Sequence, residues 1–228
     1  MKTMTLKAEV QPLQAFFFHP PFEQNFWADI LEEVYKKKVY FPFMPQTKEG
    51  KICVDLGANV GLTAYYFSRY FERVLAVEPS KQHLEALRAM IKQNQIKNIE
   101  VLPYAVSNKE GKMKFYHNDN QTMFSLESTV NKQDDFEKVD TITIEGIMEK
   151  YKLDHIDVLK LDAEGSESQI ITSEGFKRVA PKIKSVLGEW HNWTQMNQGM
   201  FQHTLEDLGY TFRWRHDTQA AVFEAIRV

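Results

Sequence analysis

The sequence predicts an α/β protein whose mostly parallel sheet carries helices on both faces and ends in an antiparallel hairpin. Short apolar runs alternate with stretches of helical periodicity from residue 51 onward, as expected of strands buried on both faces of a parallel sheet. A glycine-rich turn joins the first run to the first helix. Because the sequence shows no Gly/Ser linker, internal repeat or low-complexity tract, residues 51–228 are predicted to form one domain.

The predicted elements follow one another closely. Seven strands of the main sheet are expected over residues 51–56, 73–77, 99–102, 156–161, 184–190, 210–215 and 220–227. Helices are expected over residues 62–71, 81–94, 145–151, 166–173 and 197–208. Ser80 is the expected N-cap of the second helix, and Gly209 the expected stop of the last one. The first three strands and their helices therefore alternate as in a doubly wound sheet.

Two segments stand apart from this pattern. Residues 1–50 contain an extended arm, a predicted amphipathic helix over 23–38 and a Pro-rich stretch, and they are predicted to form a cap or a dimer contact. A β insertion is predicted at about 104–144, with strands over 104–106, 112–116 and 139–144 that alternate like antiparallel strands. The long polar stretch 117–138 within it is typical of a functional or disordered loop.

Composition excludes several classes of protein. The net charge of -3 and the pI of about 6.2 lack the basic footprint of a nucleic-acid-binding protein. No segment is long and apolar enough to suggest a membrane span. The single cysteine, Cys53, forms no internal disulfide, which fits a cytoplasmic protein, and its apolar surroundings predict a packed thiol.

The first motif is VDLGANVG at residues 54–61, between a strand and a helix. Gly57 permits a tight turn, Gly61 permits close packing of the helix on the strand, and the turn exposes backbone N–H groups at a helix N-terminus. Asp55 stands at the strand end, where its carboxylate would repel a pyrophosphate and attract a cationic amino group. The motif therefore favours a ligand that carries an amino group over a dinucleotide.

The second motif is a single acid at the end of the second strand. Glu78 lies 23 positions after Asp55, and an acid at roughly this spacing typically binds ribose hydroxyls. Both NAD and S-adenosylmethionine carry a ribose diol, so Glu78 does not distinguish them. A solvated acid at a strand end is the alternative interpretation.

The third motif is an acidic block, DVLKLDAEGSE, at residues 157–167. Asp162 lies at the carboxyl end of a buried strand, where ligands bind in open α/β sheets, and Glu164 follows two residues later. Four acids near one strand end would repel one another if all were buried, so some are expected to face solvent. Glu167 is interpreted as a first-turn helix acid that the helix dipole favours.

These motifs together resemble the FkbM family of methyltransferases. The resemblance covers about residues 50–192 and includes VEPS at 77–80, AVSN at 105–108, LKLDAEGSE at 159–167 and GEWH at 188–191. It implies a Rossmann-like class I methyltransferase fold, S-adenosylmethionine as methyl donor and a hydroxyl oxygen as acceptor. Asn59 stands where many class I enzymes have glycine, which departs from the broad class but suits this family.

The resemblance also implies a set of cofactor-binding residues. The methionine part would contact Asp55, Gly57 and Gly61, and the ribose would contact Glu78. The adenine would lie beside the residues around Ala105 and Val106, and Asp162 would lie beside the donor. The expected cofactor-binding residues are Asp55, Gly57, Asn59, Gly61, Glu78, Pro79, Ser80, Ala105, Val106 and Asp162.

The predicted chemistry is O-methylation of a sugar, glycan or small metabolite. His191 at the end of the fifth strand is the first candidate base, and Glu189 could orient it or act itself. Glu164, Ser125 and Trp190 are candidate acceptor-binding residues, and Asp162 is counted with the catalytic group. His191 could instead be a structural histidine, and catalysis could proceed by alignment without a base.

Other interpretations remain open from the sequence. Asp162 with Glu164 or Glu189 could hold Mg²⁺, but no spacing demands a metal and none is predicted. A nicotinamide-dependent oxidoreductase shares the core and Glu78, while Asp55 and the acidic block argue against it. The chain could also be a non-catalytic module that binds S-adenosylmethionine or an interaction partner.

Overall fold

A computed structural model describes residues 3–4, 16–17, 44–45, 47–116, 135–191, 196–215 and 221–227. The predicted helix over 23–38, Ser125 with most of the polar stretch and the turn of the terminal hairpin lie outside the described residues. Near the N-terminus, β1 (Thr3–Met4) and β2 (Phe16–Phe17) pair antiparallel.

A seven-stranded sheet forms the centre of the described chain. Its strands are β3 (Ile52–Leu56), β4 (Arg73–Val77), β5 (Ile99–Leu102), β9 (Ile156–Leu161), β10 (Ile183–Glu189), β11 (Thr211–Arg215) and β12 (Val222–Ile226), in the order β11-β12-β10-β9-β3-β4-β5. The pairs among β5, β4, β3, β9 and β10 are parallel, and β12 is antiparallel to both β10 and β11. The predicted mostly parallel sheet with a terminal hairpin is confirmed.

The sheet topology determines where a ligand can bind. From β3 the chain proceeds through β4 and β5 to one edge, and later returns to β9 on the other side of β3. The strand order therefore reverses between β3 and β9. In open α/β sheets, the crevice outside the carboxyl ends of the strands at such a reversal is the usual ligand site.

Six α-helices cover the two faces of this sheet in the described residues. They are α1 (Leu62–Phe67), α2 (Lys81–Gln93), α3 (Ile144–Lys150), α4 (Glu167–Thr172), α5 (Glu174–Val179) and α6 (Gln198–Asp207). The hydroxyl of Ser80 accepts a hydrogen bond from the His83 backbone N–H, which confirms the predicted N-cap of α2. α5 and the 3₁₀ turn Ala180–Lys182 were not predicted, because their short length gives little periodicity.

α1 is shorter than the sequence predicts. It ends at Phe67, four residues before the expected end. The hydroxyl of Ser68 donates to the Tyr65 carbonyl at 2.7 Å, and tighter turns carry the chain onward to Phe71. Serine commonly ends regular helix geometry by offering the backbone such a local partner.

The predicted insertion is a separate three-stranded sheet with a mixed arrangement. β6 (Ala105–Val106), β7 (Gly111–Tyr116) and β8 (Phe136–Ile142) have the order β6-β8-β7. β7 pairs antiparallel with β8 as expected, but β6 pairs parallel with β8, so the all-antiparallel prediction was wrong. Alternation identifies a strand facing the core on one side, but it does not specify which strand lies beside it.

The core has two layers, one on each face of the sheet. Cys53 and Val74 point to the side of α1 and α2, whereas Val54 and Leu56 point to the side of α3, α4, α5 and α6. Cys53 is fully buried, and burial raises the pKa of its thiol, as expected of a packed thiol. In the described residues, no helix combines the length and the apolar character that a membrane crossing requires.

Gly188 allows two central strands to approach closely, and its replacement should destabilise the fold. A Cβ at this position of β10 would lie 1.8 Å from the backbone oxygen of Leu161 in β9. We expect Gly188→Ala to lower the free energy of unfolding in urea by about 3 kcal/mol.

Gly199 in α6 provides the matched control for this substitution. A Cβ there would lie 3.4 Å from Asn197 Oδ1, an ordinary contact distance. Gly199→Ala should leave the free energy of unfolding unchanged or raise it by about 0.5 kcal/mol. Equal losses in the two variants would contradict the close approach of β9 and β10.

Candidate active site

The first part of the site is a buried ion pair across β3 and β9. Asp55 lies directly opposite Lys160 in the sheet, and its Oδ1 is 3.2 Å from Lys160 Nζ. Apart from this pair, neither carboxylate oxygen of Asp55 has a hydrogen-bond partner in the described residues. Burial raises the pKa of Asp55 to about 6, while the Lys160 ammonium acts in the opposite direction. The structure thus holds a carboxylate with unused acceptor capacity at the end of β3.

The glycine-rich turn packs against the end of β9 without space for a side chain. Gly57 has a φ of +71°, and a Cβ there would lie 2.0 Å from the backbone oxygen of Asp162. Gly61 has a φ of +91°, and its Cβ would meet Leu87 Cδ1 at 2.3 Å. Asn59 adopts a φ of +51°, a left-handed conformation that asparagine tolerates better than most residues. This explains how Asn59 can replace a glycine in the turn.

Glu78 is buried and fixed at the end of β4. Its Oε2 accepts a hydrogen bond from the Asn59 backbone N–H at 2.9 Å, and its Oε1 accepts one from the Ser80 N–H at 2.9 Å. His83 Nδ1 lies 3.2 Å from Oε1. A carboxylate has about four acceptor positions, so Oε2 can still accept a hydroxyl. Glu78 is therefore not the solvated acid that the sequence left open.

The expected adenine-side residues occupy the neighbouring strand ends. Ala105 and Val106 form β6, shortly after β5, and both are buried. Pro79 lies between Glu78 and the N-cap of α2. The predicted cofactor residues thus follow the carboxyl ends of β3, β4, β5 and β9, the strands around the reversal of strand order.

The second part of the site surrounds His191. Its Nδ1 donates to Glu167 Oε1 at 2.9 Å, and its Nε2 lies 3.4 Å from Glu164 Oε2 and 4.0 Å from Asp162 Oδ1. Asp162 also pairs with Lys160, whose Nζ is 3.2 Å from Oδ2. The acidic block and His191 therefore form one cluster beside the turn of the first motif.

Glu167 is the first-turn helix acid that the sequence predicts, as the first residue of α4, but it does not face solvent. It is fully buried, and its carboxylate accepts hydrogen bonds from the backbone N–H groups of Ala163 and Gly165. It is also the residue that orients His191, a role that the sequence analysis offered to Glu189. Glu189 is the last residue of β10, and His191 lies beyond the end of the strand. The alternation of side chains along a strand therefore does not place the two on the same face.

The electrostatics of this cluster favour a charged histidine. Burial lowers the pKa of His191, but the hydrogen bond to Glu167 and the charges of Asp162 and Glu164 outweigh it and raise the pKa to about 10. Burial and then the charge of Asp162 raise the pKa of Glu164 to about 8. His191 is therefore an imidazolium at neutral pH, and Glu164 gains its charge only near pH 8.

The same cluster has the geometry of a possible cation site. Asp162, Glu164 and His191 each offer one ligand atom, and these atoms lie within 4.8 Å of one another. The set contains Asp162 and Glu164, one of the two pairs considered in the sequence, and adds His191. A cation there would require His191 to lose the proton that now faces Glu164.

Lys160 is the residue that sequence reasoning missed. It is 2% exposed, and its Nζ also donates to the backbone oxygens of Leu56 and Gly57 at 3.3 and 3.2 Å. Its position was a usable signal, because Lys160 lies inside the strand IDVLKL, which is apolar except for Asp157 near its start. A buried lysine requires compensating partners, so the sequence could have indicated acids or carbonyls nearby.

Trp190 packs with the core in the structure. Its ring lies edge-on to Trp214, with ring centroids 6.4 Å apart, and it contacts the core layer that contains Phe201. Its stacking on an acceptor stays a prediction, and Ser125 lies outside the described residues.

Comparison with known proteins identifies the family. A family model described as Methyltransferase FkbM domain matches residues 55–212, well over half of the chain. A search of the curated proteins finds no match.

Solved structures show the same fold at low sequence identity. A methyltransferase FkbM from Methylobacillus flagellatus KT is 16% identical with a TM-score of 0.53, over 82% of this chain and 46% of that one, so this chain spans less than half of its length. Magnesium protoporphyrin IX methyltransferase from Synechocystis PCC 6803, solved with bound SAM, is 9% identical with a TM-score of 0.54, over 93% and 87% of the two chains. SMU.1697c from Streptococcus mutans, in complex with SAH, is 11% identical with a TM-score of 0.50, over 84% and 97%.

These likenesses show the fold. The family match begins at Asp55 and includes Lys160, Asp162 and His191. The chain belongs to the FkbM methyltransferase family and has the Rossmann-like class I methyltransferase fold.

Proposed function

We propose that the protein transfers the methyl group of S-adenosylmethionine to a hydroxyl oxygen of a sugar, glycan or small metabolite. The observation that carries the proposal is the buried Asp55 carboxylate, which has unused acceptor capacity beside a turn without room for side chains. Such a group attracts the amino group of the methionine part and repels a pyrophosphate. The bound SAM and SAH of two structural neighbours support the same cofactor.

The described residues fit this cofactor at each of its parts. Asp55 would bind the amino group, and Glu78, already fixed by Asn59 and Ser80, would bind the ribose hydroxyls. Ala105 and Val106 would border the adenine. When bound, S-adenosylmethionine supplies a methyl group that a positively charged sulfur has already activated.

The residues of the chain then have to align the acceptor and accept its proton. An alcohol loses a proton when its oxygen forms the new bond to carbon, and a positioned base typically contributes about 10²–10⁴-fold. We assign this role to Glu164 in place of His191, because a histidine that keeps its proton up to about pH 10 cannot accept another one at neutral pH. The pKa of Glu164, about 8, suits a base near neutral pH.

The arrangement around Glu164 supports this assignment. Glu164 has a φ of +48°, which is unusual for a residue other than glycine, and such strained positions concentrate at functional sites. His191 lies 3.4 Å from its Oε2 and is held from the other side by Glu167. Asp162 links this acceptor side to the turn that would hold the cofactor.

Removing the charge of Asp55 should weaken cofactor binding. We expect Asp55→Asn to bind S-adenosylmethionine at least about tenfold more weakly at neutral pH, because an amide does not attract the amino group as a carboxylate does. Calorimetry measures the affinity. Asp140→Asn is the matched control, since Asp140 forms an exposed pair with Lys112, and its affinity should be unchanged. Equal affinities of all three proteins would contradict this role of Asp55.

Removing the base should slow the transfer without weakening cofactor binding. We expect Glu164→Gln to lower the rate about 10²-fold or more, measured with labelled S-adenosylmethionine and a panel of sugars and hydroxylated metabolites. The wild-type rate should rise with pH through about 8, because Glu164 carries a proton below that pH.

The control for this variant is Glu174→Gln, since Glu174 pairs with Lys177 on the surface. Its rate should equal that of the wild type. An unchanged rate in Glu164→Gln would remove Glu164 from the reaction. Loss of transfer in EDTA with recovery on adding Mg²⁺ would instead assign Asp162, Glu164 and His191 to a cation.

A further inference from the structure

We propose that Lys160 is a positioning residue that joins the two halves of the site by holding Asp55, Asp162 and the Gly57 turn around one ammonium group. The inference rests on the proposed function, because it treats Asp55 as the ligand of the cofactor amino group. It adds a residue for which the sequence motifs gave no role.

The geometry places the Lys160 ammonium between the cofactor half and the acceptor half. Its Nζ lies 3.2 Å from Asp55 Oδ1 on one side and 3.2 Å from Asp162 Oδ2 on the other. It also donates to the carbonyls of Leu56 and Gly57, which begin the turn. At least four acceptors of the described residues therefore surround a group with three N–H donors, so each donor of the ammonium can be satisfied.

Burial makes the charge of Asp55 depend on Lys160. Lys160 is 2% exposed and Asp55 is fully buried, so water contributes little to stabilising either charge. Removing one partner of such a pair leaves an uncompensated charge, which a carboxyl group relieves by taking up a proton. A protonated Asp55 would no longer attract the amino group of the cofactor.

Three charged groups act on Asp55 from the elements packed around it. Lys160 on β9 favours its ionised form, whereas Asp162 after β9 and Glu78 after β4 disfavour it. Lys160 and Asp162 therefore affect Asp55 in opposite directions. Removing Lys160 should raise the pKa of Asp55, and removing the charge of Asp162 should lower it. A mere loss of packing would not shift this pKa in opposite directions in the two variants, so the comparison distinguishes a positioning role from a purely structural one.

The experiment measures binding of S-adenosylhomocysteine from about pH 5 to about pH 8.5. This probe keeps the amino group and lacks the reactive sulfonium. The proteins compared are the wild type, Lys160→Met, Asp162→Asn and the matched control Lys184→Met. Lys184 lies on the neighbouring strand β10 and pairs with Asp157 at 2.9 Å, but it is largely exposed. The titration of Asp55 itself is followed by carboxyl-carbon NMR without ligand, assigned with Asp55→Asn.

The affinity for S-adenosylhomocysteine should rise with pH as Asp55 loses its proton. We expect Lys160→Met to move the midpoint of this rise to higher pH. Binding at neutral pH should then weaken at least about tenfold, since each pKa unit corresponds to a factor of ten. Asp162→Asn should move the rise to lower pH. Lys184→Met should match the wild type. The NMR titration of Asp55 should move in the same two directions.

An Asp55 titration that stays unchanged in Lys160→Met would overturn the inference, as would shifts of the same sign in Lys160→Met and Asp162→Asn. If near-UV circular dichroism shows that Lys160→Met does not fold, Asp162→Asn still provides a test. A titration midpoint of Asp55 that does not fall in Asp162→Asn would overturn the inference. Failure of the wild type to bind S-adenosylhomocysteine would overturn the proposed function, while the NMR titration reports separately on Lys160.

Discussion

The buried ammonium of Lys160 is the interaction on which the rest of the site depends. A lysine in the middle of a parallel sheet is costly unless anionic or carbonyl acceptors surround it, and here two carboxylates and two backbone oxygens do so. This requirement brings the ends of β3 and β9 together. Gly57 permits this approach because a Cβ there would meet the backbone oxygen of Asp162, and Gly188 permits the approach of β10 to β9 in the same way.

The same crowding of charge determines the chemistry of the acceptor side. Asp55, Asp162, Glu164 and Glu167 bring four carboxyl groups to one small region, where, in the part of the chain that the structure describes, Lys160 and His191 are the cations that face them. The surrounding carboxylates favour the protonated form of His191, and burial together with the charge of Asp162 raises the pKa of Glu164. A cofactor with a positive sulfur and an amino group suits such a site, whereas a pyrophosphate does not.

The sequence predicted the mostly parallel sheet and its terminal hairpin, because the apolar runs and the glycine turn record buried strands directly. The cofactor residues stay a prediction. The sequence did not predict the parallel pairing of β6 with β8, since alternation carries no information on neighbours. It also did not indicate the contact of Glu167 with His191, and it assigned no role to Lys160. Both roles depend on partners distant in sequence, His191 for Glu167 and Asp55 for Lys160, which only the fold brings together.

The turn after β3 should select a donor that carries an amino group over a dinucleotide. The most direct measurement is a calorimetric titration of the wild-type protein with S-adenosylmethionine and, in parallel, with NADH at neutral pH. We expect S-adenosylmethionine to bind in the micromolar range and NADH to give no heat of binding. Binding of NADH, or no binding of S-adenosylmethionine, would contradict this selectivity.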